Sequence, residues 1–341
     1  MIPANAPNAH CPEQAQEAPW QSELRHACRD LDALLAHLGL SRDDFPQGLD
    51  PRPDFPLRVP WPFVARMRPG DPMDPLLRQV LPLAEERRAV DGFVTDPVGD
   101  GAAQALPGLL HKYHGRILLT VTGACGVHCR YCFRRHFPYA EANPGTGHLA
   151  ATRDYLLQHP EVQEVILSGG DPLSLPDSRL ETLIRALEDI PHLSRLRLHT
   201  RQPVVLPSRV TDGLVQMLES TRLRPVVVVH INHAQEIDAT LGMALARLRK
   251  AGVALYNQAV LLAGVNDTLA AQQALAEKLF DSGVQPLYVH LLDRVAGAAH
   301  FEVAEDEAVA LFERLRGRLP GYLMPRLVRE EPGAHAKLPR A

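Results

Sequence analysis

Short apolar runs alternate with helical patterns over most of the chain from about residue 115. The apolar runs cover residues 117–122, 162–168, 196–200, 226–230, 255–262 and 287–292. Apolar residues recur at helical spacing near residues 148–159, 177–189, 208–219, 235–250, 268–281 and 304–317. Strands and helices that alternate in this way are typical of a parallel sheet covered by helices. We therefore predict an α/β fold of six strand–helix units, which fits a partial (β/α)6 TIM-like barrel or a full barrel better than a doubly wound sheet.

Two local features of these helical patterns give further predictions. The fourth helix carries one apolar stripe, formed by Ile237, Leu241, Leu245 and Leu248. A stripe at this spacing predicts the buried face of an amphipathic helix. Asn266 and Asp267 precede the fifth helix, and we expect one of them to cap its N-terminus.

Residues that can carry chemistry follow the predicted strands, at or near the point where each strand ends. They are Cys125, Asp171, Arg201, His230 and Asp293. A random distribution would scatter such residues over both ends of the strands. Active sites of α/β barrels are built at the C-terminal ends of the strands, so we expect one active site there.

The first hundred residues have a different pattern, and half of the 30 prolines lie there. The apolar spacing of residues 20–40 predicts one helix, and residues 74–82 predict a short helical turn with a proline near its start. Residues 43–74 should form irregular segments and turns. By region, we expect a disordered leader (1–18), an α-rich and Pro-rich N-terminal region (19–105), a barrel (106–320), and a C-terminal strand and tail (321–341).

Composition narrows the classes of function. The chain has 341 residues, a formal net charge of -4 at pH 7 and 45% hydrophobic residues. This charge balance gives no sign of a nucleic-acid partner, and no run of 18 apolar residues predicts a membrane span. The N-terminus has no signal-peptide pattern, and five cysteines in a long chain without such a signal favour a reducing compartment. We therefore expect a cytoplasmic protein that binds neither nucleic acid nor membranes.

The most informative stretch is the loop after the first predicted strand. It places Cys125, Cys129 and Cys132 in a C-x3-C-x2-C spacing. Three thiolates in one loop can hold a [4Fe–4S] cluster and leave one iron open to a small molecule. The same cysteines with His128 or His136 could form a zinc site, although the second short ligand arm of most zinc modules is missing. Three unliganded thiols are the third interpretation, and the spacing alone leaves all three open.

Two groups on the following strands carry weaker signals. Residues 168–172 read Ser-Gly-Gly-Asp-Pro, and two glycines let a backbone approach a ligand closely. This turn could hold an ammonium group through carbonyl oxygens and Asp171, or it could be a plain turn capped by that aspartate. His230 and Gln258 lie on apolar strands, where a ligand contact and an ordinary core position are both open.

The end of the chain adds two acidic residues and a lysine. Asp293 and Glu330 each follow an apolar run. Two acids that line one barrel mouth would select a cationic group, whereas two surface ion pairs would contribute little. Lys337 could form a Schiff base with an aldehyde cofactor, or it could simply be solvated.

Taken together, these segments resemble the radical S-adenosylmethionine (SAM) superfamily and, within it, the lysine 2,3-aminomutase family. The resemblance covers about residues 60–341, and its most diagnostic segments are residues 125–135, 167–173, 199–207, 257–267 and 337–339. Residues 55–60 and 70–82 are similar to the shorter branch of this family, which serves the β-lysylation of elongation factor P (EF-P). The end of the chain soon after Lys337 fits that branch.

The resemblance implies a radical SAM barrel that uses a [4Fe–4S] cluster, SAM and pyridoxal 5'-phosphate (PLP). The cluster ligands would be Cys125, Cys129 and Cys132. The residues that hold SAM would be Ser168, Gly169, Gly170, Asp171, His230 and Gln258. The residues at PLP would be Lys337, as its covalent anchor, and Lys112, Tyr113 and Arg116 nearby. The substrate carboxylate would meet Arg134, and the side-chain ammonium of the substrate would meet Asp293 and Glu330.

The reaction that the resemblance implies is the isomerisation of L-α-lysine to (R)-β-lysine by way of a 5'-deoxyadenosyl radical. Expected partners are L-lysine, a flavodoxin- or ferredoxin-type reductant, EF-P with its lysyl-transferring ligase, and a second copy of the chain in a homodimer. Two positions differ from the family pattern. Glu330 stands where the free-lysine enzymes usually have Asp, and residues 333–336 replace a glycine-rich run. The alternatives are a free-standing metabolic aminomutase and, in another class, a zinc-binding structural protein.

Overall fold

The computed structural model describes residues 18–139 and 146–341, so the predicted leader, apart from Ala18, lies outside the described residues. In the described part of the chain, ten strands form one sheet in chain order. They are β1 (Gln104–Leu106), β2 (Leu109–Tyr113), β3 (Arg116–Thr122), β4 (Glu164–Gly169), β5 (Arg195–Thr200), β6 (Arg224–Val229), β7 (Ala254–Val260), β8 (Gln285–His290), β9 (Arg326–Arg329) and β10 (Leu338–Pro339).

The central part of the sheet is parallel. Strands β3 to β9 pair in parallel one after another. Strands β1, β2 and β3 are joined as an antiparallel meander, and β10 runs antiparallel to β9. Residues from all seven parallel strands line a single cavity, which means that the sheet curves around it. The predicted partial α/β barrel is therefore confirmed, and β9 adds a seventh parallel strand to the six expected.

Helices cover the outside of this sheet. In the barrel they are Thr146–Gln158, Asp177–Glu188, Gln202–Val205, Asp212–Ser220, Ala239–Lys250, Leu269–Asp281 and Glu305–Arg316, and before it they are Pro19–Arg25, Leu31–His37, Trp61–Val64 and Pro75–Arg78. The strands alternate between the two faces. In β5, Leu196 and Leu198 are buried in the main core, whereas Arg197 and His199 face the cavity. Every second residue of such a strand can therefore bring a polar group into the barrel.

The helical stripe is confirmed for three of its four residues, because Ile237 lies before the helix. The predicted cap is wrong. Leu241, Leu245 and Leu248 are all fully buried. The fifth long helix is capped by Thr268, whose hydroxyl accepts a hydrogen bond from the Ala271 amide at 3.2 Å. Asn266, one of the two predicted caps, is buried instead. Its side-chain nitrogen donates to the carbonyls of Asn232, after β6, and Val260, at the end of β7, and so links the two strand ends.

The prediction of a single helix over residues 20–40 is wrong. Two short helices replace it, because Cys28 leaves the helical path and exchanges backbone hydrogen bonds with Val59 at 2.8 and 3.0 Å. Asp30 then caps the second helix by accepting from the Ala33 amide at 3.1 Å. Apolar residues of both short helices pack into one N-terminal core cluster. The apolar spacing therefore continues through the break between the helices, and it resembles that of a single helix.

The last strand returns the chain to the barrel mouth. Leu338 pairs with Arg329 and Pro339 with Val328, and the Arg340 amide donates to the Leu327 carbonyl at 2.9 Å. This short antiparallel pairing places the residue before β10 beside the residue after β9. Among the described helices, none is long and apolar enough to cross a membrane.

Candidate active site

One cavity of about 540 Å³ lies inside the barrel and includes the C-terminal ends of the parallel strands. This volume falls within the range of small-molecule sites. Every residue assigned above to a cofactor or to substrate lines it: Lys112, Tyr113, Arg116, Cys125, Cys129, Cys132, Arg134, Ser168, Gly169, Gly170, Asp171, His230, Gln258, Asp293, Glu330 and Lys337. The fold therefore collects side chains that are up to 225 positions apart between Lys112 and Lys337 (337 − 112).

The three cysteines lie on the loop after β3. Burial, reinforced by the neighbouring thiols, raises the pKa of Cys132 to about 11 and that of Cys125 well above its usual range. Thiolates in this position therefore require a cationic partner. Within residues 18–139 and 146–341, no three His, Cys, Asp or Glu side chains stand close enough to hold a single metal ion.

The N-terminal region holds the cysteine loop in place. Glu86 is buried and accepts from Arg130 Nε at 2.8 Å and from Arg135 Nη2 at 2.8 Å. The Arg130 amide also donates to the Gln79 carbonyl at 2.9 Å, and the His128 amide donates to the Arg58 carbonyl at 2.9 Å. A buried carboxylate between two guanidinium groups fixes the loop on both sides of Cys132. We call these contacts the N-terminal clamp.

The two glycines after β4 approach the cysteine loop itself. Gly169 has a φ of +121°, a backbone conformation that residues with a side chain rarely adopt. The Gly170 amide donates to the Thr122 carbonyl at 2.7 Å. A Cβ atom on Gly170 would lie 2.3 Å from the Ala124 carbonyl oxygen, so no side chain fits there. The turn thus requires glycine because it packs against the backbone that carries Cys125.

Replacing Gly170 with alanine is expected to lower the iron bound per chain at least several-fold, because the new methyl group must displace the cysteine loop. The measurement is the iron and sulfide content of the reconstituted protein. Gly242→Ala is the matched control, since Gly242 lies in a helix where an added Cβ atom would meet nothing within 4 Å. That variant should keep its iron and gain about 1 kcal/mol of stability. Equal iron content in the two variants would contradict the steric explanation.

Asp171 ties three elements together. Its carboxylate accepts from the Thr200 hydroxyl at 2.7 Å, and from the amides of Arg201 at 2.7 Å and Gln202 at 2.9 Å. It also accepts from the Leu173 amide at 3.0 Å, as a cap of its own turn. These protein hydrogen bonds occupy both oxygens, so Asp171 orders the ends of β4 and β5. A direct contact with SAM stays a prediction.

His230 and Gln258 face the cavity with defined partners. His230 Nε2 lies 2.9 Å from the Tyr131 hydroxyl, and the two rings stack at 5.6 Å. Burial, and then the charge of Arg201, lowers the pKa of His230 to about 3, which keeps the imidazole neutral. Gln258 Nε2 lies 3.3 Å from His199 Nδ1. The other ring nitrogen of His199 is buried and has no hydrogen-bond partner.

A chain of alternating charges crosses one wall of the cavity. Lys337 Nζ is 2.5 Å from Glu330 Oε2, whose other oxygen is 3.5 Å from Lys112 Nζ. Lys112 in turn is 2.5 Å from Asp100 Oδ1, and Asp100 Oδ2 is 2.7 Å from Arg134 Nε. Burial raises the pKa of Asp100, but the cations Arg134 and Lys112 outweigh it and hold that pKa below its usual value.

Asp293 lies in the same cavity but takes no part in these ion pairs. Its carboxylate makes no hydrogen bond or ion pair with any described residue. Burial, and then the charge of Glu330, raises its pKa to about 7. Lys337 and Lys112 lower the pKa of Asp293 from a distance, but neither pairs with its carboxylate. A buried carboxylate without a paired cation is costly to the protein without ligands, and it suits a cationic ligand.

Sequence reasoning missed Asp100 and Arg326. Asp100 lies in the Pro-rich region and carried no signal, because its two cationic partners are distant in sequence. Arg326 lines the cavity from the start of β9 and makes no ion pair within the described ranges. The sequence of β9, Arg-Leu-Val-Arg, does not alternate polar with apolar residues, so no local signal pointed to Arg326.

Comparison with known proteins identifies close relatives of the chain. It is 47% identical over 321 residues to L-lysine 2,3-aminomutase of Haemophilus influenzae, covering 93% of this chain and 94% of that protein. It is 46% identical over 321 residues to the enzyme of the same name from Escherichia coli, covering 94% of each. The chain belongs to the lysine 2,3-aminomutase family.

Two further comparisons add less. A scan against models of protein families finds no match to this chain. Among solved structures, a radical SAM methyltransferase from Sphaerobacter thermophilus is 17% identical with a TM-score of 0.47, covering 65% of this chain and 68% of that one.

As a lysine 2,3-aminomutase family member, the chain is an isomerase, and its cofactors are a [4Fe–4S] cluster, SAM and PLP. The residues present fit the cluster. Cys129 Sγ accepts a hydrogen bond from Arg201 Nη1 at 2.8 Å, and all three cysteines line the cavity, where they would hold the cluster.

The cavity wall also fits PLP and SAM. Arg116 and Arg326 make no ion pair with any described acid, and Arg116 stacks on the Tyr113 ring at 4.6 Å. Unpaired guanidinium groups suit a phosphate. The cavity is also lined by residues 168–170 and by His199, whose Nε2 has no hydrogen-bond partner among the described residues, and these groups offer polar contacts to a second ligand.

Proposed function

We propose that this family member converts L-α-lysine to (R)-β-lysine by way of a 5'-deoxyadenosyl radical. The observation that carries the proposal is the pair of carboxylates, Asp293 and Glu330, in one cavity with Lys337 and the three-cysteine loop. When bound, the cluster and SAM supply the radical, and PLP supplies the conjugated system that carries the migrating amino group. The protein supplies orientation, charge and exclusion of water.

Two properties indicate which lysine binds PLP covalently: its position in the cavity and whether its amine is free to react. The chain has four lysines, and Lys250 and Lys278 are exposed on helices. Lys112 lines the cavity, but its amine is tied to the Val98 carbonyl at 2.8 Å and to Asp100 at 2.5 Å. Among the described residues, Lys337 is held only by Glu330. This difference favours Lys337 as the amine that binds PLP, with Lys112 as a fixed cation beside it.

Substrate side-chain recognition follows from the same pair of acids. Lys337 would hold PLP through the same nitrogen that pairs with Glu330 at 2.5 Å, so that nitrogen would no longer be committed to Glu330. Glu330 and the unpaired Asp293 would together face the ammonium group of the substrate. Two carboxylates at one cavity wall would repel an acidic side chain, so this site argues against glutamate as the substrate.

Arg134 suits the substrate carboxylate. Asp100 holds its Nε and the Ser168 hydroxyl holds its Nη1 at 3.1 Å. These contacts fix the plane of the guanidinium group and leave Nη2 without a partner among the described residues. A carboxylate could therefore bind at a position set by protein side chains, which is the condition for aligning the β-hydrogen with the radical.

The test is turnover by the reconstituted protein. Anaerobic enzyme loaded with iron, sulfide and PLP is given SAM, dithionite and L-lysine, and products are separated on a chiral column. We expect (R)-β-lysine, dependent on SAM, and no β-glutamate from L-glutamate. A protein that holds about one zinc per chain and forms no β-lysine would contradict the proposal and favour the structural alternative.

We further propose that the product serves the modification of EF-P in the cytoplasm, by way of a lysyl-transferring ligase. Residues 55–60 and 70–82, which are similar to the EF-P branch of the family, support this. The test is the intact mass of EF-P from a strain that lacks this gene. Loss of a β-lysyl mass increment is expected, and an unchanged EF-P would favour a free-standing metabolic aminomutase.

A further inference from the structure

Arg201 reaches from the end of β5 to a cluster ligand. Its Nη1 donates to Cys129 Sγ at 2.8 Å, and its Nη2 donates to Gln79 Oε1 at 2.7 Å and to Glu236 Oε2 at 3.1 Å. The guanidinium group is buried, and the proposed reaction makes no use of it. A cation fixed on a thiolate ligand is therefore left without an assigned role.

Glu236 opposes this cation. It is 0% exposed, and its Oε1 accepts from the Asn232 amide at 2.9 Å and from Gln79 Nε2 at 3.1 Å. These contacts keep the carboxylate in one position beside Arg201. The charge that the cluster experiences from this side is thus the sum of a near guanidinium group and a carboxylate one hydrogen bond further away.

We propose that Arg201 and Glu236 act as positioning residues that set the reduction potential of the cluster through the Cys129 sulfur. The inference rests on the proposed role of Cys129 as a cluster ligand. A [4Fe–4S] cluster in the 2+ state takes one electron from a low-potential donor and becomes 1+, and no bond to Arg201 breaks. The added negative charge spreads onto the thiolate sulfurs. Hydrogen bonds and positive charge at those sulfurs stabilise the reduced state.

The two side chains should therefore shift the potential in opposite directions. Arg201→Met removes the donor and the positive charge, so the potential should fall. Glu236→Gln removes the opposing negative charge and keeps an oxygen for the amides, so the potential should rise. At a fixed applied potential we expect the ratio of reduced to oxidised cluster to change about tenfold in each case, which for a one-electron couple is 59 mV.

The measurement is a redox titration of the reconstituted holoenzyme, followed by the electron paramagnetic resonance signal of the reduced cluster. Arg209→Met is the matched control. Arg209 is also fully buried and pairs with Asp177 at 2.8 Å, but its hydrogen bonds go to the carbonyls of Leu173 and Leu175. Its loss should lower stability and leave the potential unchanged.

The outcomes separate the possible roles. Opposite shifts in Arg201→Met and Glu236→Gln, with iron content intact, support the inference. Unchanged potentials, or shifts of the same sign, overturn it. If Arg201→Met fails to hold a cluster, Glu236→Gln decides alone, and a potential that does not rise overturns the inference. A wild-type protein that shows no cluster signal would instead refute the proposed function.

Discussion

Lys337→Ala is expected to lower β-lysine formation by about 1,000-fold or more, the scale at which removal of a covalent catalytic group acts. The imine absorbance band of the PLP-loaded protein should disappear with it. Cluster iron should stay at the wild-type level, because Lys337 lies between β9 and β10 and its one ion pair among the described residues is with Glu330, not with the cysteine loop. The measurements are the absorbance spectrum, the iron content and the rate of β-lysine formation.

Two lysine variants make this experiment selective. Lys112→Ala removes the other amine of the cavity, and the imine band should survive because Lys337 remains. Lys250→Ala removes an exposed helical lysine and should change neither the band nor the rate. A band that persists in Lys337→Ala and is lost in Lys112→Ala would show that the covalent anchor has been assigned to the wrong residue.

Asp293→Asn is expected to lower kcat/KM for L-lysine by about 30-fold or more. Truncating one partner of a buried, charged hydrogen bond typically costs about 2–5 kcal/mol, and each 1.36 kcal/mol is a factor of ten. The pH profile provides a second measurement. With a pKa of about 7, Asp293 becomes protonated as the pH falls below that value and can no longer attract an ammonium group. Wild-type kcat/KM should therefore fall on the acidic side of pH 7, and this part of the profile should be missing in the variant.

The same substitution should stabilise the protein without ligands. The folded-state pKa of Asp293 is raised above its unfolded value, so the folded state binds the extra proton and loses stability as the pH rises toward about 7. The Asn variant does not undergo this loss. Urea unfolding at pH 8 should show a gain of about 1 kcal/mol or more. Asp154→Asn, on an exposed helix position, should give neither effect, and lower stability of Asp293→Asn would contradict the idea of an uncompensated carboxylate.

The order of strands and helices in the barrel was predictable because each element repeats a strong local pattern. Helical spacing located the long helices to within a few residues, and the polar residues after the strands indicated which end carries the site. The break between the two N-terminal helices was not predictable. It depends on Cys28 pairing with Val59, a contact across 31 residues (59 − 28) that no local period records.

The site was only partly predictable, because some of its contacts join residues that are distant in sequence. Local motifs marked the cysteines and the glycine turn, and family resemblance supplied Lys337. The roles of Asp100 and Arg201 come from partners brought together by the fold, at separations of 34 and 72 residues for their contacts with Arg134 and Cys129. Gly169 and Gly170 were expected to let the backbone approach a ligand. The group that approaches them closely is instead the backbone of the cysteine loop.

The N-terminal clamp has a consequence for how this protein can be recombined or trimmed. Glu86, Gln79 and the backbone near Arg58 precede the barrel in the chain, yet they hold the loop that carries the cysteines. The barrel is therefore not a transplantable module. A chimaera that exchanges only the strand–helix units would separate the cysteine loop from half of its support, so the first hundred residues and the barrel must be exchanged together. Homologues should accordingly vary in these two regions as one co-inherited unit.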